Sequence, residues 1–338
     1  MDPYGLSRVI GQAGVLPQQA DRLDASLPIR DDELLLDVDT LNVDSASFRQ
    51  LETQTGGSAA EMMEAIRSIV RQRGKLQNPV TGSGGMLLGT VREVGPKHPA
   101  AGRVLPGARV ATLVSLSLTP LELTQVESID ARSDRVRVRG HAILFASGLF
   151  VELPTDLPEG LVLGALDVCG APALTARHVR PGARVLVIGA GKSGALCCAQ
   201  AKRSGAAQVL AYDVSRPAVE ELAQLGYAEP LVGDATQGLE VLRAVERATG
   251  GALCDLVINV ASVARTEMGG LLSVREGGTV LFFSMATSFP QAALGAEGIG
   301  KDATLLIGNG YARGHAELTL QLLREEPKLR QLLERRLE

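Results

Sequence analysis

The chain has 338 residues, enough for about two domains that each bury a core, so size demands no disulfide or metal staple. Its 34 basic and 38 acidic residues leave a formal net charge of -4, which offers no electrostatic footprint for a phosphate backbone. Aromatic residues are 3% and Trp is absent, so stacking platforms for single strands are missing too; the expected partner is a small molecule, not nucleic acid.

Residues 1–14 (MDPYGLSRVIGQAG) carry no basic flank, apolar run and small-residue cleavage site, so export is not expected. No stretch approaches the roughly 18 to 20 apolar residues of a membrane span, and a cytoplasmic protein without a membrane partner is expected. Cys169, Cys197, Cys198 and Cys254 lack the paired spacing of a disulfide framework or a zinc lobe and read as reduced thiols packed as small hydrophobes.

From residue 31 to about 153, short β-branched runs at 33–38, 87–94, 109–114, 135–138 and 142–145 are separated by Gly, Pro, Ser and Asp, the pattern of a mainly β domain. One helix interrupts it. Ser58 and Glu61 form a capping box, and Met62, Met63, Ile66, Ile69 and Val70 recur at helical spacing until Gly74. That apolar face serves core packing, or walls a substrate pocket. After Pro154 apolar strands alternate with amphipathic helices, which predicts a parallel α/β sheet with strands at 184–188, 209–212, 229–232, 256–259, 279–284 and 304–308. A helical tail starts at Gly314 and is interrupted at Pro327.

The run RVLVI ends at Gly189, and Gly189-Ala190-Gly191-Lys192-Ser193-Gly194 opens a helix. Alone, G-x-G-x-x-G is a weak signal; here it follows a strand, precedes a helix and is answered by Asp213 at the end of the next strand, VLAYD. Gly189 allows the tight turn, Gly191 lets the backbone approach a diphosphate, and Gly194 lets helix pack on strand. Lys192, Ser193 and the helix N-terminus complete the phosphate cradle. Asp213 is placed to accept from both ribose hydroxyls and to repel a 2′-phosphate, which favours NAD, while nearby Arg216 keeps NADP open. Asn259-Val260, Ser284-Met285 and Asn309-Gly310-Tyr311, at the carboxyl ends of later strands, are expected near the nicotinamide half.

With this loop at mid-chain behind a β-rich domain, the sequence resembles the medium-chain dehydrogenase/reductase superfamily. The resemblance is carried by residues 32–50 (DELLLDVDTLNVDSASFRQ), 85–95 (GMLLGTVREVG), 104–111 (VLPGARVA) and 167–182 (DVCGAPALTARHVRPG). It implies an α/β protein: a doubly wound Rossmann parallel sheet over residues 155–311, and a β-rich GroES-like catalytic domain over 1–154, joined by the tail 312–338. Zinc members of that superfamily need three protein ligands. Here Asp44 stands in place of the first-segment Cys, and Ser83, Gly84 and Gly85 occupy the region of the His-Glu pair. Cys169 falls near the third position, and one thiol cannot hold a catalytic metal, so no metal is expected.

The stretches 77–86 (QNPVTGSGGM), 111–122 (ATLVSLSLTPLE), 282–302 (FFSMATSFPQAALGAEGIGKD) and 308–317 (GNGYARGHAE), with NVDSASF and GAPA, resemble more narrowly the L-erythro-3,5-diaminohexanoate dehydrogenase family. That resemblance implies NAD-linked oxidative deamination of a diamino acid in lysine fermentation, and a homodimer joined through sheet edges. Hydride departure from a carbon bearing an amine needs a base. Asp44 is the leading acid/base or ammonium-binding candidate, against a capping role; Asp167, in an apolar stretch, is next, against a structural ion pair; Ser83 is a third, with Ser115 and Ser117 as further hydrogen-bonding groups. Glu267 and His315 are candidates from the nucleotide-binding side, and Arg49 and Lys301 for the substrate carboxylate. A zinc-free NADPH-dependent quinone or enoyl reductase shares the architecture, and a non-catalytic dinucleotide-binding protein is the third reading.

Overall fold

A computed structural model describes residues 2–131, 133–284 and 286–337. Met285, expected beside the nicotinamide, lies outside the described residues. Contacts divide the chain into two units, the first running to Leu163 and the second Gly164–Arg336.

The first unit is built on a six-stranded sheet of β1 (Glu33–Asn42), β2 (Met86–Val94), β3 (Arg109–Thr112), β4 (Leu121–Asp130), β5 (Arg135–Phe145) and β6 (Phe150–Glu152), in the order β4-β5-β1-β2-β3-β6. Every pairing is antiparallel. Leu34, Leu36, Val38 and Leu41 on β1 and Val136 and Val138 on β5 pack with Phe48 and Leu51 of α1 (Ser45–Gln54) and Met62, Ile66 and Val70 of α2 (Ala59–Arg73). Helix α2 has the expected ends: Ser58 accepts from Glu61 N, and Gly74 closes it at φ 62°. The first thirty residues are tied to the sheet by Arg8, 2% exposed, whose guanidinium donates to both Glu33 oxygens at 2.8 and 2.6 Å.

One difference from expectation has a local cause. The runs 135–138 and 142–145 are one strand, because Gly140 does not break it; a Cβ there would lie 2.0 Å from Glu122 O, so the glycine lets β4 and β5 approach. Strands β4 and β6 and helix α1 were not predicted.

The second unit is a six-stranded parallel sheet of β7 (Arg184–Ile188), β8 (Gln208–Asp213), β9 (Glu229–Val232), β10 (Cys254–Asn259), β11 (Val274–Phe282) and β12 (Thr304–Ile307), ordered β12-β11-β10-β7-β8-β9. This is the doubly wound order, with its reversal between β7 and β10. Helices α3 (Glu159–Leu166) and α4 (Gly170–His178) precede the sheet. The helices α5 (Lys192–Arg203), α6 (Arg216–Gln224), α7 (Gly238–Thr249), α8 (Glu267–Ser273) and α9 (Phe289–Gly298) connect its strands, and α10 (His315–Glu325) and α11 (Pro327–Leu337) close the chain. Among the described residues no single helix is long and apolar enough to cross a membrane.

Through Arg336 the tail belongs to the second unit and not, as expected, to the N-terminal domain. Thr319 of α10 donates to Cys169 O at 3.4 Å, Tyr227 OH donates to Glu326 at 2.8 Å, and Arg336 reaches Ala190, all inside the second unit. The boundary falls at 163/164 instead of 154/155, because Glu159 and Gly160 bond Arg109 and Arg135 of the first sheet.

Candidate active site

The turn from β7 into α5 explains its glycines one at a time. Gly189 sits at φ 100°, and a Cβ there would press on Ala261 N at 3.0 Å; a Cβ on Gly194 would lie 1.9 Å from Gly189 O. A Cβ on Gly191 would meet nothing within 4 Å. The third case differs in kind: Gly191 borders open space at the start of α5, whose first amides have no side-chain cap. Unpaired N–H groups, the positive end of a helix dipole and free volume fit a dinucleotide diphosphate.

Asp213 ends β8 and holds this turn. Its Oδ2 accepts from Ala190 N at 2.7 Å and its Oδ1 from Ser215 N at 2.8 Å, leaving further lone pairs on both oxygens. Asn259, Ser284 and Asn309 repeat part of this device: each accepts from the N–H two residues on, from Ala261 (3.2 Å), Ala286 (3.1 Å) and Tyr311 (2.9 Å). The polar groups picked at strand ends therefore shape the turns after them. Asn259 is fully buried, with its amide nitrogen on Thr266 Oγ1 at 2.8 Å, so only its neighbouring backbone is available to a ligand. Ser193 lies in the first turn of α5.

Lys192 and Asp167, read separately as cofactor- and substrate-directed, form an ion pair at 2.9 Å, each about a quarter exposed. Asp167 lies in the turn between α3 and α4, not on a helix, and its charge is compensated.

In the first unit, Asp44 caps α1: Oδ1 accepts from Ser47 N at 3.0 Å, whereas Oδ2 is buried without a hydrogen-bond partner. Gly85, at φ 94°, lies so close that a Cβ would be 2.1 Å from Asn42 O and 2.8 Å from Asp44 N; on Gly84 it would be 2.2 Å from Leu76 O. Ser83 has its N–H on Thr81 Oγ1 at 3.3 Å and its carbonyl on Asn78 N. Ser115 and Ser117 bond each other at 2.8 Å.

Residues 7–154 match the profile of the L-erythro-3,5-diaminohexanoate dehydrogenase N-terminal domain. The chain is 47% identical over 336 residues to the L-erythro-3,5-diaminohexanoate dehydrogenase of Acetoanaerobium sticklandii, covering 98% of each chain. To that of Fusobacterium nucleatum it is 46% identical, covering 97% of this chain and 96% of the relative. The chain belongs to the L-erythro-3,5-diaminohexanoate dehydrogenase family. Solved structures place the fold of this dehydrogenase: a mycobacterial protein complexed with NADPH superposes at TM-score 0.60 with 18% identity, over 97% of this chain and 95% of the other. An alcohol dehydrogenase from Thermus sp. ATN1 gives 0.57 at 20% identity, over 91% and 87%.

For a family member with this fold, the diglycine 84–85 has a physical meaning. At both positions, in the region compared from sequence with the superfamily's His-Glu pair, the backbone is packed too tightly for any side chain. Cys169 is 2% exposed, and burial pushes its thiol up to about 12, the state of a packing residue. Among the described residues no three His, Cys, Asp or Glu side chains cluster as metal ligands.

Two proton-transfer candidates of this dehydrogenase retain a buried atom without a partner: Asp44 Oδ2 and His315 Nε2. His315 is 3% exposed, its ring edge-on to Tyr311 at 5.2 Å, and burial lowers its pKa, keeping the imidazole neutral. It follows the 309–311 turn, which packs on α4 so closely that a Cβ on Gly170 would lie 2.7 Å from Asn309 O. Other candidates are engaged: Glu267 accepts from Ser288 N at 2.7 Å, and Lys301 donates to Val274 O at 2.9 Å. Arg49 is exposed.

One residue at the cofactor loop was missed. Arg336 on α11 donates Nη1 to Ala190 O at 2.8 Å and pairs with Glu221 of α6 at 3.1 Å. No local signal marks it, since the contact spans 146 positions.

Proposed function

We propose that the chain catalyses NAD-dependent oxidative deamination of L-erythro-3,5-diaminohexanoate to 5-amino-3-oxohexanoate, ammonia and NADH, without catalytic zinc, in lysine fermentation. The observation that carries the reading is the near full-length identity to two enzymes of that name. Support for NAD over NADP comes from Asp213, a carboxylate where a 2′-phosphate would sit, and from Arg216, whose guanidinium turns along its own helix to Glu220 at 3.4 Å.

Bound nicotinamide supplies a hydride acceptor for the carbon bearing the 3-amino group. The amides of α5 and the Arg336 cation would hold the diphosphate, and Asp213 would take the ribose hydroxyls. His315, neutral and with Nε2 free, takes a proton from the substrate ammonium so that the nitrogen lone pair can assist hydride loss. In the first unit Asp44, with Oδ2 unpartnered, is the candidate for binding a substrate ammonium or for the proton transfers as water adds and ammonia leaves. Ser83 stays a hydrogen-bonding candidate beside Asp44, and Asp167 acts through Lys192.

A cytoplasmic homodimer belongs to the same reading. The edge strand β12 offers unpaired backbone on one side, with Ile307 63% exposed, and all four cysteines are free thiols. The test is incubation of purified protein with L-erythro-3,5-diaminohexanoate and NAD, with products identified by mass. Formation of 5-amino-3-oxohexanoate is the predicted result, and unchanged substrate refutes the assignment.

A further inference from the structure

The second unit carries a second cleft, at the amino ends of the strands. It encloses about 350 Å³ and is lined by Arg177 and His178 in the last turn of α4 and Arg180 after it, by Asp255 at the start of β10, and by Arg275 and Thr279 of β11. Gly189 terminates the same β7 that Arg184 begins, so the dinucleotide loop lies roughly 16 Å away at about 3.3 Å rise per residue.

Charge in this cleft is unbalanced. Asp255 is the one carboxylate in its lining, and both oxygens are engaged: Oδ2 accepts from Arg184 N at 2.7 Å and Oδ1 from Arg275 Nε at 2.6 Å. These bonds and the two guanidiniums hold its pKa down against burial, so it stays an anion committed to Arg275 and the β7 backbone. Among the described residues the guanidiniums of Arg177 and Arg180 have no hydrogen bond or ion pair, only the Arg180 carbonyl accepting from Ala183 N. Burial, and next the Arg177 cation, depress the His178 imidazole. Two unpaired guanidiniums, and the Nη2 of a third whose Nε is engaged by Asp255 and whose Nη1 donates to Glu276 O at 2.7 Å, are donors suited to oxygens of a multiply charged ligand.

We propose that this cleft is a second ligand site, for a small oxyanion carrying at least two charges, held by Arg177, Arg180 and Arg275. The polar lining and size fit a phosphoryl or polycarboxylate compound, and neither Asp213 nor the 189–194 loop takes part. The site stands independently of the dinucleotide reading.

The test is isothermal titration of the full chain, first saturated with NADH to fill the dinucleotide loop, with inorganic pyrophosphate and separately with citrate at constant ionic strength. The two arms distinguish a phosphoryl from a carboxylate source. The expected result is one binding event per chain with at least one anion, weakened roughly tenfold or more by Arg177→Gln with Arg180→Gln. Melting temperature and NADH affinity should not change in that variant. A control exchanging the exposed Arg22 and Arg71 for Gln should bind as wild type. Absence of binding by both anions, retention in the Arg177/Arg180 variant, or equal loss in the control overturns the proposal.

Discussion

Arg336 Nη1 lies 2.8 Å from the carbonyl oxygen of Ala190, so the last helical turn of the chain touches the middle of the loop proposed to hold a diphosphate. Because Arg336 also pairs with Glu221, the contact joins the turn after β7 to the helix after Asp213. Arg336→Gln should raise the dissociation constant for NAD by roughly tenfold or more, the scale of one charge-assisted hydrogen bond. AMP, which lacks the diphosphate bridge, should bind nearly as before. Calorimetry with both ligands checks this, and equal weakening of the two would reduce Arg336 to a structural role.

The glycines of the same loop separate folding from binding. Gly194→Ala places a methyl against the Gly189 carbonyl and should destabilise the protein by about 1–3 kcal/mol. Gly191→Ala meets no protein atom, so melting should be near wild type while NAD binding is lost. Thermal unfolding and NAD titration on the two variants give opposite patterns if the space over Gly191 belongs to the ligand; normal NAD affinity in Gly191→Ala would contradict this.

These positions also show what the sequence made legible. Parallel strands covered on both faces read as continuous apolar runs, as in β7 and β10, and the glycine loop announces its geometry because Gly189 and Gly194 each meet a specific neighbour while Gly191 borders open space. Strand β4 escaped because LELTQVESID leaves most of its side chains in solvent and lacks a strong alternation. Helix α1 begins directly after Asp44 and has a weakly apolar face. The Asp167–Lys192 pair, the Arg336 contact and the tail's place on the second unit are tertiary, with partners 25 and 146 residues apart, beyond any local pattern. Asp44 and His315 were legible as candidates, but the unpartnered atoms that set them apart are visible only in the fold.

His315 carries a pH prediction. Burial lowers its pKa below the ordinary imidazole value, so the neutral base persists to lower pH and the acid limb of kcat should fall below pH 6.5. His315→Gln should remove that limb and reduce kcat by roughly 100-fold or more. A retained limb with near-normal kcat would exclude His315 as the base. Asp44→Asn should cost a similar factor, with melting changed little, since the amide oxygen can still cap α1.

The four cysteines set the alkaline limit of stability. Burial raises Cys169, Cys197 and Cys254 to about 12, against 9.0 for an accessible thiol, and raises Cys198 as well. The folded chain therefore keeps protons that the unfolded chain releases above pH 9, and their stabilisation is lost as pH rises from 9 toward 12. Each thiol contributes up to about 1.4 kcal/mol per pH unit in that window. Denaturant unfolding at pH 8 and pH 10 should show the fall, reduced in Cys197→Ala when its slope is compared with that of wild type. A pH-independent midpoint, with thiols that react quickly in the native state, would contradict the burial.

The central claim is that hydride transfer and loss of nitrogen are one reaction. Measuring ammonia and NADH together, as purified protein turns over L-erythro-3,5-diaminohexanoate with NAD, tests it most directly. The account predicts equal amounts of the two at every time point; NADH formed without ammonia, or turnover only when NADP replaces NAD, would contradict it.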